Sequence, residues 1–544
     1  MPLEDDASKR VALPGSPAQA PSAAAETESA SLGSGRGALW VTAGILFARV
    51  FGLVRQRILG HYFGIGAFAD VIVAAFRIGN ITQNLLGEGT LSASFIPVYA
   101  RVRAANRPDE ATRFALTALG FLTLVVIIAS AAGVALAPAL TRLIAPGFEG
   151  ERLALTTSAA RVLFPMTGLL VLSAWGLGVL NAHRRFFLAY VAPTAWSATQ
   201  IAALIVFGEG LGLRGEALLR TLVWSAFAGA VLQLLVLFVV ARRLLGALRP
   251  RLDRADPHLH EAASRLPSAL LGRGVIQLSG LIDLALASFF GAGAQAAMNT
   301  AQLLYFLPMA LLGTGEAAAA LPAMASDMAE TDLALRNARL RARLGGSLAR
   351  VTTLTLPATL VLALLGGELI RVCLQTGKFD ADATERVREI VLAYAFALLG
   401  NASARVLTTT AWALGDTRTP TRYALLRVIV STAGSLVLMQ WLGVVGVVLG
   451  AVLAAWVETF ALGWTLRAKL GGLGLEHVPF AKIALLGALS IAPSLLLREA
   501  LPAAFAQSFA GASLVLALFG LAFALAAPML GLFDLRSLLR RPRR

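Results

Sequence analysis

Tyr62-Phe63-Gly64-Ile65-Gly66-Ala67 returns 227 positions later as Phe289-Phe290-Gly291-Ala292-Gly293-Ala294. A second block agrees with it: Gly87-Glu88-Gly89 followed by Pro97 is echoed by Gly313-Thr314-Gly315 followed by Pro322, at an offset of 225–226. A fixed internal offset marks a duplicated structural unit. Six apolar stretches separate the copies, each of about 20 residues or more, enough to cross a hydrocarbon core of about 30 Å as a helix. Six is even, so both copies run in the same direction. Parallel repeats imply a pseudo-two-fold axis along the membrane normal, with a cavity between two lobes.

Outward from the repeat the chain keeps the same character. Of its 544 residues 57% are apolar and only 14% charged, with a mean hydropathy of +0.73. Soluble domains carry about 25% charged residues, so a soluble enzyme, a secreted module and a disordered protein are excluded. Candidate spans lie near 38–60, 68–98, 114–142, 153–181, 186–208, 217–241, 268–290, 294–325, 347–370, 389–414, 423–441, 443–466, 480–497 and 508–533. They are too long and too evenly apolar for the alternating strands of a membrane barrel, which run to about ten residues. The expected fold is therefore an all-α polytopic membrane protein of about fourteen transmembrane helices. Residues 37–250 form a six-helix lobe with a cationic cavity, 251–470 a second six-helix lobe, and 471–544 two extra helices with a basic tail. Residues 1–36, rich in Ala, Ser, Pro and Glu, read as a disordered cytoplasmic tail.

The net charge of +16 comes from 47 basic and 31 acidic residues. Once the spans are drawn, 29 of the 47 fall in the tails and in connections on the N-terminal side, six of them (Arg242, Arg243, Arg249, Arg251, Arg254 and Arg265) in one loop. Basic residues concentrate in cytoplasmic loops, so both termini are expected in the cytoplasm and the excess is topology, not a nucleic-acid footprint. The lone Cys373 excludes an intrachain disulfide, and the five histidines have no zinc-site spacing.

An ionisable side chain at the centre of a span costs about 2.5–3.5 kcal/mol on insertion scales, so each is a functional candidate. Span one carries Arg49, Arg55 and Arg57; span two carries Asp70, Arg77 and Glu88. Asp70, Arg77 and Asn84 are spaced by seven and share one helix face. The repeat-equivalent positions of Arg49, Arg55, Asp70 and Arg77 are apolar (Ile276, Ile282, Ala297 and Leu304), which leaves Asp283, Glu316 and Arg273 as the charges of the second copy. The basic lining is thus expected on one side. Guanidinium forks around a wet cavity suit phosphate or carboxylate oxygens. The competing structural readings are snorkelling for Arg55 and Arg57, an ion pair for Asp70, and lobe-packing salt bridges for Asp283 and Glu316.

At these same residues the chain resembles the MurJ/MviN family of lipid II flippases. The resemblance runs through Phe47-Ala48-Arg49-Val50-Phe51-Gly52-Leu53-Val54-Arg55, Ala69-Asp70, Ala75-Phe76-Arg77, and Gly87-Glu88-Gly89 to Phe95-Ile96-Pro97. It continues through Ala145-Pro146-Gly147-Phe148, Gln277 to Asp283 with Ala287-Ser288, Gln375-Thr376-Gly377-Lys378-Phe379, and Gly415-Asp416-Thr417-Arg418-Thr419-Pro420. The resemblance implies a multidrug/oligosaccharidyl-lipid/polysaccharide exporter fold and alternating access. It also implies substrate binding by Arg49, Arg55, Arg77 and Asp70, with Asn84, Arg57 and Arg273 as further candidates, and gating at Gly87, Glu88 and Gly89. The chain departs from the family pattern at Asn84, Gln56 and Leu303, where the family carries charge, and at Gly79, where it carries proline.

The expected function is transport of lipid II, a polyprenyl-pyrophosphate-linked precursor, from the cytoplasmic to the outer leaflet of the bacterial cytoplasmic membrane, by a monomer. The alternatives are another polyprenyl-linked polysaccharide as cargo, or a non-transporting scaffold for wall-synthesis proteins. No nucleotide motif is present, no cofactor is expected, and the energy source is expected to be the membrane potential or a Na+/H+ gradient. Asp283 is the one ion-site candidate.

Overall fold

The computed structural model describes residues 35–183, 185–309 and 315–532. The tail expected over 1–36 lies, up to residue 34, outside the described residues, as do Gly313 and Thr314 of the repeated block. The side chains of Arg49, Glu88 and Arg273, together with Gly89, also lie outside them, although their backbone falls within helices.

The described residues are helical, with one isolated bridge between Thr376 and Phe379. The first copy comprises α1 (Gly35–Phe63), α2 (Ala67–Leu86), α3 (Glu88–Ala104), α4 (Pro108–Ile144), α5 (Gly150–Ala182), α6 (Phe186–Ala203) and α7 (Gly215–Leu245). A π-helical turn, Leu204–Gly210, extends α6. The short α8 (Pro257–Ser264) leads to the second copy, and its start is legible: Pro257 opens it and the Asp256 carboxylate accepts the His258 N–H at 2.9 Å. Then follow α9 (Leu266–Ala287), α10 (Ala294–Pro308), α11 (Gly315–Asp327), α12 (Leu333–Leu364), α13 (Gly366–Cys373), α14 (Ala381–Ala413) and α15 (Arg418–Leu470). Finally α16 (Phe480–Ala500) packs on α17 (Phe509–Met529).

The duplication holds in register. Helix α2 begins at Ala67 and α10 at Ala294, the last residues of the two repeated hexapeptides, while Gly64 and Gly291 take matching positive φ of 58° and 51°. Packing repeats as well: α2 lies on α5 and α4 on α5 in the first lobe, as α10 lies on α14 and α12 on α14 in the second. The lobes meet where α9 and α10 touch α2, and where α9 also touches α3 and α4.

Nine described helices are long and apolar enough to cross a membrane, and the chain is an integral membrane protein. The expected span over 68–98 is broken at Gly87, whose N–H bonds Gln83 O at 2.8 Å as α2 ends and α3 begins. The expected spans over 423–441 and 443–466 form one 53-residue run, α15, with a break at Gly443 (φ 57°).

Candidate functional site

Two groups of chemistry-bearing side chains lie between the lobes. The first joins the end of the bundle that loop charge predicts to face outward. Asp70, fully buried in the first turn of α2, crosses to the N-terminus of α10 in the second lobe. Gly293 N–H donates to Asp70 Oδ2 at 2.7 Å and Ala296 N–H to Oδ1 at 2.9 Å. These are orphan donors of a helix start, where the backbone dipoles favour an anion. Arg152 on α5, stacked over the Phe148 ring at 3.8 Å, stands 3.5 Å from the same carboxylate.

Beside this cap, the turn that follows α13 docks on the α1–α2 connection. Lys378 N–H donates to His61 O at 2.9 Å, His61 Nδ1 lies 3.0 Å from Thr376 Oγ1, and Arg57 Nη1 donates to Val372 O at 2.6 Å. Phe379 is buried against Gly60. Gly64 must be glycine: its φ is positive, and a Cβ there would stand 2.5 Å from Lys378 O. On the other side of Asp70, Gly147 N–H donates to Ser288 Oγ at 2.9 Å. The motifs around Gly147 and around Gln375 to Phe379 are thus parts of one closure.

The second group lies deeper. Arg55 on α1 sits over the Trp196 ring of α6 at 4.7 Å, and Trp196 meets Phe76 edge-on at 6.0 Å. The next residue along α2, Arg77, lines a pocket with Gly280, Asp283, Asn299 and Gln302 of the second lobe. Arg55 Nε and Arg77 Nε are buried, and neither has a hydrogen-bond partner among the described residues. A buried guanidinium donor without an acceptor costs free energy; Arg152, Arg336 and Arg371 also carry such nitrogens. Gly87, the described member of the expected gating trio, is buried at the α2–α3 break. Asn84 is in the last turn of α2.

The structure therefore divides the expected binding residues. Arg55 is packed within the first lobe against Trp196, and Arg77 reaches the second lobe; Asp70 and Arg57 belong to the closure, and the common face of Asp70 and Arg77 is the one turned to the second lobe. The second lobe is also more charged than expected. Arg427 and Glu458, in the two parts of α15, pair at 2.8 Å, with Arg405 of α14 close enough to act on both, while Asn401 donates to Tyr305 Oη at 2.5 Å. Arg405, Arg427 and Glu458 all fall in expected spans, so the rule that flagged Arg55 would have flagged them. Trp196 and Arg152 carried no comparable signal. Glu316 is a packing residue, bonded to Arg350 Nε at 2.9 Å. Asp283 has Arg427 and Arg77 as its charged neighbours, and no cluster of three or more metal-ligating side chains occurs among the described residues.

A two-lobed, all-helical membrane protein with a closure at one end and anion-suited arginines between its lobes belongs to the class of alternating-access transporters. A family profile described as "Lipid II flippase MurJ" matches residues 59–520. The chain belongs to the lipid II flippase MurJ family, whose members are transporters, not enzymes. The probable lipid II flippase MurJ of Rhizobium tropici is 32% identical over 425 residues, 77% of this chain and 78% of its own. The lipid II flippase MurJ of Burkholderia cenocepacia is 27% identical over 441 residues, 80% and 84% of the two chains. In fold, the chain is similar to a solved lipid II flippase MurJ in an inward closed conformation, with a TM-score of 0.73 at 17% identity over 92% of this chain and 100% of that one. It is also similar to an inward-facing MATE family multidrug transporter of the MOP superfamily, with a TM-score of 0.59 at 17% identity over 83% and 98%.

Proposed function

We propose that this chain flips lipid II from the cytoplasmic to the outer leaflet of the bacterial cytoplasmic membrane, acting in peptidoglycan synthesis. The observation that carries the reading is the pair of buried arginines, Arg55 and Arg77, each with an Nε that lacks an acceptor among the described residues. A diphosphate offers acceptor oxygens in the geometry a guanidinium fork needs. Arg49, Asn84 and Arg273 are the further residues proposed to bind the cargo. Both termini stand in the cytoplasm, the chain crosses fourteen times, and the lobes are residues 37–250 and 251–470, followed by the extra pair within 471–544. The Asp70 cap and the Thr376–Phe379 turn close the outer mouth, and the break at Gly87, followed by Glu88 and Gly89 at the start of α3, lets α2 move while α3 stays packed. Lobe rocking driven by the membrane potential or a Na+/H+ gradient opens that mouth and closes the inner one.

The test is to deplete a bacterium of its own lipid II flippase, express this chain, verify its level in the membrane and assay lipid II in the outer leaflet. Restored exposure that disappears with Arg55→Ala supports the reading. Well-inserted protein that restores none would move the cargo to another polyprenyl-linked glycan, or leave the chain a scaffold of the wall-synthesis machinery.

A further inference from the structure

The Arg77 guanidinium does not stay within its own lobe. Its Nη2 stands so close to α9 that a Cβ added to Gly280 would lie 2.6 Å from it. Gly280 therefore leaves the space that lets a first-lobe arginine rest against a second-lobe helix. Asp283 is three residues along α9, on the same face, and lines the same pocket. Its carboxylate feels two arginines: Arg427 of its own lobe, and Arg77 of the other. Arg427 also has Glu458 at 2.8 Å, so it is a standing cation of the second lobe whatever becomes of Arg77.

We propose that Asp283 is a resident counter-ion of Arg77 that the diphosphate of the substrate displaces, so that cargo binding itself loosens the contact between α2 and α9. The inference rests on the reading of Arg77 as a diphosphate ligand. In the empty transporter the carboxylate partly neutralises Arg77 across the lobe boundary and helps hold the lobes together. A diphosphate brings more negative charge and more acceptor oxygens than one carboxylate, and Arg77 keeps a buried Nε free of any described acceptor to receive one of them. Asp283 then falls back on Arg427, within the second lobe. The exchange replaces an interlobe charge contact with an intralobe one. Substrate occupancy is thereby converted into freedom for the lobes to rock.

The experiment titrates inorganic pyrophosphate against the full chain in lipid nanodiscs by calorimetry. It compares the parent with Arg77→Ala, Asp283→Asn, the double variant and Gly280→Ala. Asp283→Asn is near-isosteric and is expected to tighten pyrophosphate about tenfold. Gly280→Ala leaves every charge in place but pushes the guanidinium off α9, and is expected to tighten it several-fold. In the Arg77→Ala background the Asp283→Asn gain should vanish. Unchanged or weaker binding in both Asp283→Asn and Gly280→Ala overturns the proposal. So does an Asp283→Asn gain of equal size with and without Arg77, which would mark a general field effect. If Arg77→Ala binds pyrophosphate as the parent does, the diphosphate reading of Arg77 itself fails, and the proposal with it; loss of binding there with no Asp283 effect removes the proposal alone.

Discussion

The closure around Asp70 and the interior around Arg77 are built from the same α1 and α2 segments, yet they treat charge in opposite ways. At the closure, Arg57 donates to a second-lobe carbonyl, and Asp70 takes two second-lobe N–H groups. In the interior, Arg55 and Arg77 keep nitrogens buried without a described acceptor. The closure is matched at Asp70 and Arg57 but not at Arg152, whose Nε and Nη2 are buried without a hydrogen-bond partner among the described residues; a matched polar contact rigidifies, while an unmatched one costs free energy. Within one heptad of α2 the chain thus passes from Asp70, which fastens the lobes, to Arg77, whose buried Nε has no described acceptor.

The largest expected effect breaks the interior half of this contrast. Arg55→Ala and Arg77→Ala should each lower outer-leaflet lipid II exposure at least about tenfold in flippase-depleted cells. Folding should be little affected: for Arg55 the loss is a cation–π contact of at most about 2 kcal/mol, and in Arg77→Ala the Asp283 carboxylate keeps Arg427 as its charged neighbour. Thermal unfolding in detergent should move by no more than about 2–4 °C. A large drop in unfolding temperature with exposure intact would make these arginines structural.

Asp70→Ala tests the other half. It strands two helix N–H groups and the Arg152 charge at once, the situation in which breaking one side of a buried pair costs about 3–5 kcal/mol. That energy is concentrated on the closed arrangement, so the closure should open. Cys373, the chain's single cysteine, ends α13 beside the Val372 carbonyl that Arg57 holds, and its thiol is an existing probe. Its rate of maleimide labelling should rise about tenfold in Asp70→Ala and less in Asp70→Asn, which retains an acceptor. Labelling that does not change would mean that the cap is incidental to closure.

Gly64→Ala is the milder version. An L-residue held at φ near 58° costs about 1–2 kcal/mol, and its Cβ would press on Lys378 O. The same Cys373 assay should show a rise of a few-fold, with unfolding temperature lowered only slightly. A rise equal to that of Asp70→Ala would place the main strength of the closure in the α13 turn and not in the helix cap.

How far the sequence carried differs between the two regions for a physical reason. The repeat was legible because Gly64 and Gly291 must both adopt positive φ, and backbone demands leave a mark on residue choice. The interior arginines were legible because charge in an apolar span is rare. The closure was not: Asp70 looked like any other intramembrane acid until the fold brought Gly293 and Ala296, more than 220 residues away, to its two oxygens. The one-sidedness expected of the charge failed for a related reason. Arg427 and Glu458 lie outside the segments that the repeat aligned, and only the folded α15 sets them against each other across its Gly443 break.

The smallest effect sharpens the comparison with a contact remote from both regions. Asp416, in the connection between α14 and α15, pairs with Lys469 and accepts the Thr419 N–H at 2.9 Å. Burial pushes its carboxyl up, but the Lys469 and Thr419 hydrogen bonds together outweigh it and hold the group at about 2. An unfolded aspartate titrates near about 3.9. A carboxyl depressed on folding stabilises fully above the unfolded value and loses that contribution as pH falls towards the folded one. Unfolding temperature in detergent should therefore carry a component that fades between about pH 4 and pH 2 and is missing in Asp416→Asn. Its size should be only a few degrees, since Lys469 is 43% exposed and solvent screens the pair. Cys373 labelling should not respond to this substitution at all. If it did, the α14–α15 connection would be coupled to the closure, and the separation of fastening from cargo-holding along α2 would extend to a third site at the opposite end of the bundle.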